Sequence, residues 1–167
     1  MAYINKISLA NFIRKKHLEE KHYEISELKL QKSLYLLYAY WAKNIRPVNE
    51  MITNNEPIEY SEKFDEDLFL PKFIKGTYGP IDKEAYKYHK NNNIFIDVDP
   101  FKDVSKNQKD TVISFINSIL KQIFEINDFS LVDLMSKESY LKFIEDNEEI
   151  SNDNIKNYYY IKNKEDL

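Results

Sequence analysis

The sequence predicts a mainly α-helical domain, built around one buried central helix, with room for a single small β-hairpin. Two observations carry this. The stretch 28-LKLQKSLYLLYAYW-41 is apolar nearly all round at helical spacing, which marks a core helix. Further segments place apolar residues at i, i+3, i+4 and i+7, whereas extended pieces are short and interrupted by proline. At 167 residues with 43% hydrophobic and 14% aromatic content, the chain can bury a sizeable core. Folding at this size removes roughly 70% of the unfolded surface from water.

The first helix spans about 6–22, with Leu9, Phe12, Ile13 and Lys16 along one face. Ser26 caps the second, and Glu27 suits the positive end of its dipole. Leu30, Leu34, Leu37, Tyr38 and Trp41 follow as its buried stripe. The segment 44–47 ends it. Residues 48–77 read as irregular, with extended pieces at 56–60 and 68–74 restricted by Pro57 and Pro71. A tight reversal at Tyr78-Gly79-Pro80-Ile81 precedes a third helix over 83–91, capped by Asp82. A polar connection leads to a long helix over 109–126 with Val112, Ile116, Ile119, Leu120 and Ile123 inward. Ser130 is expected to cap a short helix over 131–135, and another covers 137–146. The pattern divides into a helical domain over 1–150 and a docking helix or tail over 151–167, where Ile155, Tyr158 and Tyr159 share a face.

The totals exclude much chemistry. There is no cysteine, so disulfides, thiolate nucleophiles and cysteine-ligated zinc are absent. The two glycines, Gly76 and Gly79, are too few for a P-loop or a dinucleotide-binding turn. The net charge of −4 and the presence of Arg14 and Arg46 as sole arginines argue against direct nucleic-acid binding. No apolar run is long enough to span a membrane. The charged N-terminus does not read as a signal peptide, so a cytoplasmic protein is expected. His17, His22 and His89 lack metal-ligand spacing and read as exposed helix residues. The acidic runs Asp65-Glu66-Asp67 and Asp97-Val98-Asp99 read as solvated loop charge, not as a metal site. No catalytic, metal or cofactor residue is assigned, and the chain is expected not to be an enzyme. A metal-dependent nuclease using Asp65, Asp67, Asp97 or Asp99 is the weakest reading.

Ser26-Glu27-Leu28-Lys29-Leu30-Gln31-Lys32 leading into Leu34-Tyr35 resembles the signature of the Panacea antitoxin domain, the SocA-like family common in phages and prophages. The turn Phe73–Ile81 resembles the family's glycine-proline turn, and Leu131–Tyr140 a later family segment. Ser136 and Tyr140 stand where the family has histidine and tryptophan, so no role of that histidine carries over. The resemblance implies a cofactor-free antitoxin that neutralises a protein toxin by direct contact. Leu30, Gln31, Lys32, Tyr35, Gly79 and Pro80 would be its scaffold. Asp65, Glu66, Asp67, Tyr78, Tyr158 and Tyr160 are the candidate partner contacts, the acidic and aromatic ones being suited to interfaces. The alternative is a phage inhibitor that occludes a host defence nuclease, as anti-CRISPR proteins do, turning the acidic 61–67 run toward a basic channel. The partner's identity and the oligomeric state are not set by the sequence.

Overall fold

The first helix begins where the chain supplies a cap. Asn5 accepts from the backbone N–H groups of Ile7 and Ser8 at 2.9 and 3.1 Å, opening α1 (Lys6–Lys21). It ends at His22, whose left-handed φ of 63° lets its N–H reach the Leu18 carbonyl. The computed structural model describes residues 2–44, 66–91 and 98–165, without the side chains of 43, 44 and 160–165. The expected extended piece at 56–60 therefore lies outside the described residues.

Helix α2 (Glu27–Asn44) starts as the sequence requires, with Ser26 Oγ accepting from Lys29 N–H at 3.1 Å. Leu34, Leu37, Tyr35, Tyr38 and Ala39 are wholly buried, and so are the polar Gln31, Lys32 and Ser33. The helix is enclosed on every side: α1, the hairpin and three later helices all pack against it. Each fully buried leucine stabilises the fold by about 2 kcal/mol, so this one helix organises the core.

The reversal at residues 76–79 is a β-hairpin, not a bare turn. Strand β1 (Phe73–Gly76) pairs antiparallel with β2 (Gly79–Asp82) through a two-residue loop, Thr77-Tyr78. Extended structure covers 73–76 only, where the sequence suggested 68–74. Residues Leu68 and Phe69 instead drop into the core. The outer edge of β1 is covered: Ile150 N–H donates to Phe73 O, and Lys75 exchanges backbone bonds with Asn147 and Glu148.

Helix α3 (Lys83–Asn91) starts on Asp82, which accepts from Ala85 N–H at 3.0 Å. Helix α4 (Lys106–Glu125) begins three residues before the expected start, because Ser105 already closes the first turn through its carbonyl. Its buried stripe is Val112, Ile116, Leu120 and Ile123. Helix α5 (Asp128–Ser136) corrects the expected cap. Asn127, not Ser130, supplies the capping oxygen, and Ser130 N–H donates to it at 2.9 Å. The segment expected as a helix over 137–146 is a short 3-10 helix at Ser139–Phe143. Helix α6 (Asn152–Glu165) then buries Ile155 and Tyr159 against α2, inside the same core as the rest.

Candidate functional site

Successive polar residues of α2 hold the hairpin. Gln31 grips the backbone of Asp82: Asp82 N–H donates to its Oε1 at 2.8 Å, and its Nε2 donates to Asp82 O at 3.4 Å. The Asp82 carboxylate is wholly buried and accepts from Lys6 Nζ and from Lys72 N–H at 3.0 and 2.8 Å. Charged and capping contacts therefore fix the base of β2.

Lys32 reaches the other end. Its Nζ lies 3.5 Å from Pro80 O, and a Cβ built on Gly79 would come within 2.7 Å of it. Gly79 also has φ of +105°. The backbone conformation favours glycine here, and the missing Cβ leaves room for the ammonium. Burial pulls the Lys32 ammonium down to about 8, a fall that the Glu138 carboxylate only partly offsets.

Glu138 itself is buried beside α5 and gathers hydroxyls from two helices. Tyr35 donates to its Oε2 at 2.5 Å, and Tyr159 donates to its Oε1. The Tyr35 hydroxyl also meets that of Tyr140. Burial first, then the nearby carboxylate and hydroxyls, pushes Tyr35 and Tyr159 far above the usual phenol range. Lys32, Tyr35, Tyr140, Tyr159 and Glu138 thus form one closed polar cluster under the hairpin.

Above this cluster lies a cleft of about 260 Å³ between the hairpin tip and α5. Gly79, Met135 and Glu138 line it, with Tyr78 and Lys142 beside them. Tyr78 is 63% exposed. Phe129 lies one helical turn before the cleft residue Val132, and Phe143 follows Lys142 in the chain. Phe129 and Phe143 are 90% and 89% exposed, nearly the whole ring of each standing in water.

Of the scaffold residues, Lys32 meets Gly79 and Pro80, Gln31 holds the neighbouring Asp82, Tyr35 bonds Glu138, which lines the same cleft, and Leu30 is buried in the core. The partner-contact set does not gather in this way. Asp67 is engaged internally, paired with Lys156 at 2.8 Å and receiving the Tyr38 hydroxyl at 3.4 Å. Glu66 uses its carbonyl to receive the Trp41 indole at 3.0 Å. Tyr158 is half-buried and packs its ring against Tyr140 and Tyr159. Tyr78 alone of the described set stands free in solvent as a tip residue. Asp65 and the side chain of Tyr160 lie outside what the structure describes.

Two histidines correct the expectation of exposed rings. His17 and His89 are 1% and 7% exposed. His89 Nδ1 meets Arg14 at 2.8 Å, and burial together with the Arg14 charge pulls its pKa to about 4. His17 Nδ1 bonds the Tyr23 carbonyl, and burial lowers it too. Among the described residues, no group of three or more His, Cys, Asp or Glu is arranged to hold a metal. Asp97 lies outside them, and Asp99 caps Phe101 N–H and faces Lys109. Among the described residues, no helix is long and apolar enough to cross a membrane.

Phe129 and Phe143 were not singled out by the pattern. A signal was present for the first: Phe129 falls off the Leu131–Met135 stripe that α5 buries. No family model, curated protein or solved structure matches the chain.

Proposed function

We propose that this chain is a protein-binding antitoxin, which neutralises a toxin protein by covering it. The observation that carries the reading is Tyr78, exposed at the lip of the cleft, together with two almost fully exposed phenylalanines, Phe129 and Phe143, close in the chain to residues that line it. Exposed aromatic rings beside a concave, rigidly supported surface are what a protein interface needs for its anchors. The scaffold beneath is tied by Gln31, Lys32 and Tyr35, so Tyr78 is presented at low cost in ordering. The resemblance of 26-SELKLQKSLY-35 and the glycine-proline turn to the Panacea family supports the same reading. A complex of ordinary size would bury about 1,600 Å². The reading implies a cytoplasmic protein that needs no cofactor.

The competing picture, occlusion of a defence nuclease, rested on the acidic run at 61–67. Asp67 spends its charge on Lys156, which leaves that picture with less support. Co-expression with the toxin encoded beside it should restore growth and yield a complex on co-purification. Phe129→Ser and Phe143→Ser should each weaken that complex at least tenfold with the melting temperature unchanged. Growth that is never restored, together with no co-purifying toxin, would refute the proposal.

A further inference from the structure

The cleft between the hairpin tip and α5 has an apolar floor and one unanswered charge. Val132 and Met135 of α5 and Leu141 of the 3-10 helix line it, with the exposed Tyr78 at its lip. At about 260 Å³ it falls short of ordinary small-molecule sites and suits an inserted side chain. The thioether of Met135 adapts readily to such a guest. The polar groups of the lining are mostly engaged within the chain. Ser136 Oγ donates to Asp133 O at 2.7 Å, and Glu138 receives the hydroxyls of Tyr35 and Tyr159. Lys75 Nζ donates to Ile144 O at 2.8 Å and lies 4.0 Å from the Asp146 carboxylate. Lys142 differs from these: it lines the cleft, is exposed, and makes no ion pair with any described residue.

We propose that this cleft receives a peptide segment of a partner protein that carries a large apolar side chain beside a carboxylate. The apolar side chain fills the space over Val132, Met135 and Leu141, and a well-packed anchor in a pocket is where binding energy concentrates. The carboxylate answers Lys142. A basic segment would instead bring its charge against Lys142 and Lys75, and like charges across a contact cost affinity. A rim charge pair of this kind sets register and partner choice, while the apolar anchor supplies most of the strength. Phe129 lies three residues before Val132 on α5 and so on the same face of the helix, where a segment running along α5 would cover it. The inference rests on the reading of the chain as a protein-binding module and adds the chemistry of what it binds.

The test pans a random-peptide phage library on the full chain and measures the enriched peptides by fluorescence anisotropy. Those peptides should share a large apolar residue close to Asp or Glu and bind saturably. Val132→Trp, which fills the cleft, and Lys142→Glu should each weaken them by about tenfold or more with the melting temperature unchanged, while Lys142→Arg keeps the affinity. Changing the peptide's carboxylate to its amide should weaken binding to wild type and not to Lys142→Glu. If Val132→Trp does not fold, Tyr78→Ser at the exposed tip decides the location by the same criterion. Absence of any saturable peptide overturns the proposal. So do peptides that bind the folded cleft variants as tightly as wild type, or an enriched set that is basic or indifferent to Lys142→Glu. The antitoxin reading fails separately. A chain that takes such peptides but never binds the toxin encoded beside it loses that reading and keeps the docking site, and a toxin complex that ignores all the cleft variants does the reverse.

Discussion

Lys32→Met should remove a specific pH dependence of stability. In the folded chain the Lys32 ammonium is pulled to about 8, against an ordinary 10.5 in the unfolded chain. The side chain is 1% exposed, so solvent does not screen this difference away. Because the folded value is the lower one, the unfolded chain holds more protons between the two values. Stability therefore rises with pH through that window. The full interval from 10.5 to about 8 is worth about 3 kcal/mol at about 1.36 kcal/mol per unit. Between pH 7 and 9 the linkage relation yields about 1.3 kcal/mol of it. The buried tyrosines do not blur this. Their pKa values are raised on folding, so their effect starts near the ordinary phenol value of about 10 and has the opposite sign. Urea denaturation of wild type and Lys32→Met at pH 7, 8 and 9 reads the effect. Wild type should gain about 1 kcal/mol across the series relative to the variant. Parallel profiles would show that Lys32 is not desolvated, and the coupling between α2 and the hairpin would have to be abandoned.

Other perturbations test neighbouring parts of the structure. Gly79→Ala should cost about 1–2 kcal/mol from the positive φ alone. Its cost should shrink in a Lys32→Met background, because the Cβ then no longer meets the ammonium, a non-additivity that a double-mutant cycle measures. Glu138→Gln should destabilise by about 2 kcal/mol, since two tyrosines lose a charged acceptor, and a shift of the urea midpoint reports it. Acid should also destabilise through His89. Its folded pKa of about 4 lies below the ordinary 6.5, so the stability is intact above 6.5 and drains away as pH falls toward 4. That amounts to about 3 kcal/mol at the acid end, and His89→Phe should flatten the melting-temperature profile between pH 6.5 and 4.5.

The central helix was legible because its apolar residues cover the whole circumference. Such a pattern has only one low-energy placement, inside. The capping signals at Ser26 and Asp82 were equally local and equally readable. Residues 137–146 were not. Leu141 sits at a helical distance from Lys137, yet the chain forms a 3-10 turn there, and Glu138, which precedes it, is turned inward to Tyr35 and Tyr159. Those partners lie more than a hundred and more than twenty residues away. The histidines were misread for the same reason. Nothing near His89 in sequence announces that Arg14 will lie 2.8 Å from its ring.

The polar residues of α2 carry the link from fold to function. A core helix could take methionine in place of Lys32, and burying a lone ammonium is costly by itself. The lysine gains a carbonyl of Pro80 and the field of Glu138, and in doing so joins the hairpin to the helix at one end while Gln31 joins it at the other. A two-stranded hairpin is marginal when left to itself. Held at both ends from inside, and covered along its edge by residues 147–150, it can keep Tyr78 at a fixed position over the cleft. Gly79 belongs to the same arrangement: its φ of +105° suits glycine, and its missing Cβ leaves room for the Lys32 ammonium. The buried charge is thus best understood as fixing where Tyr78 stands, since stability alone would favour a hydrocarbon in its place.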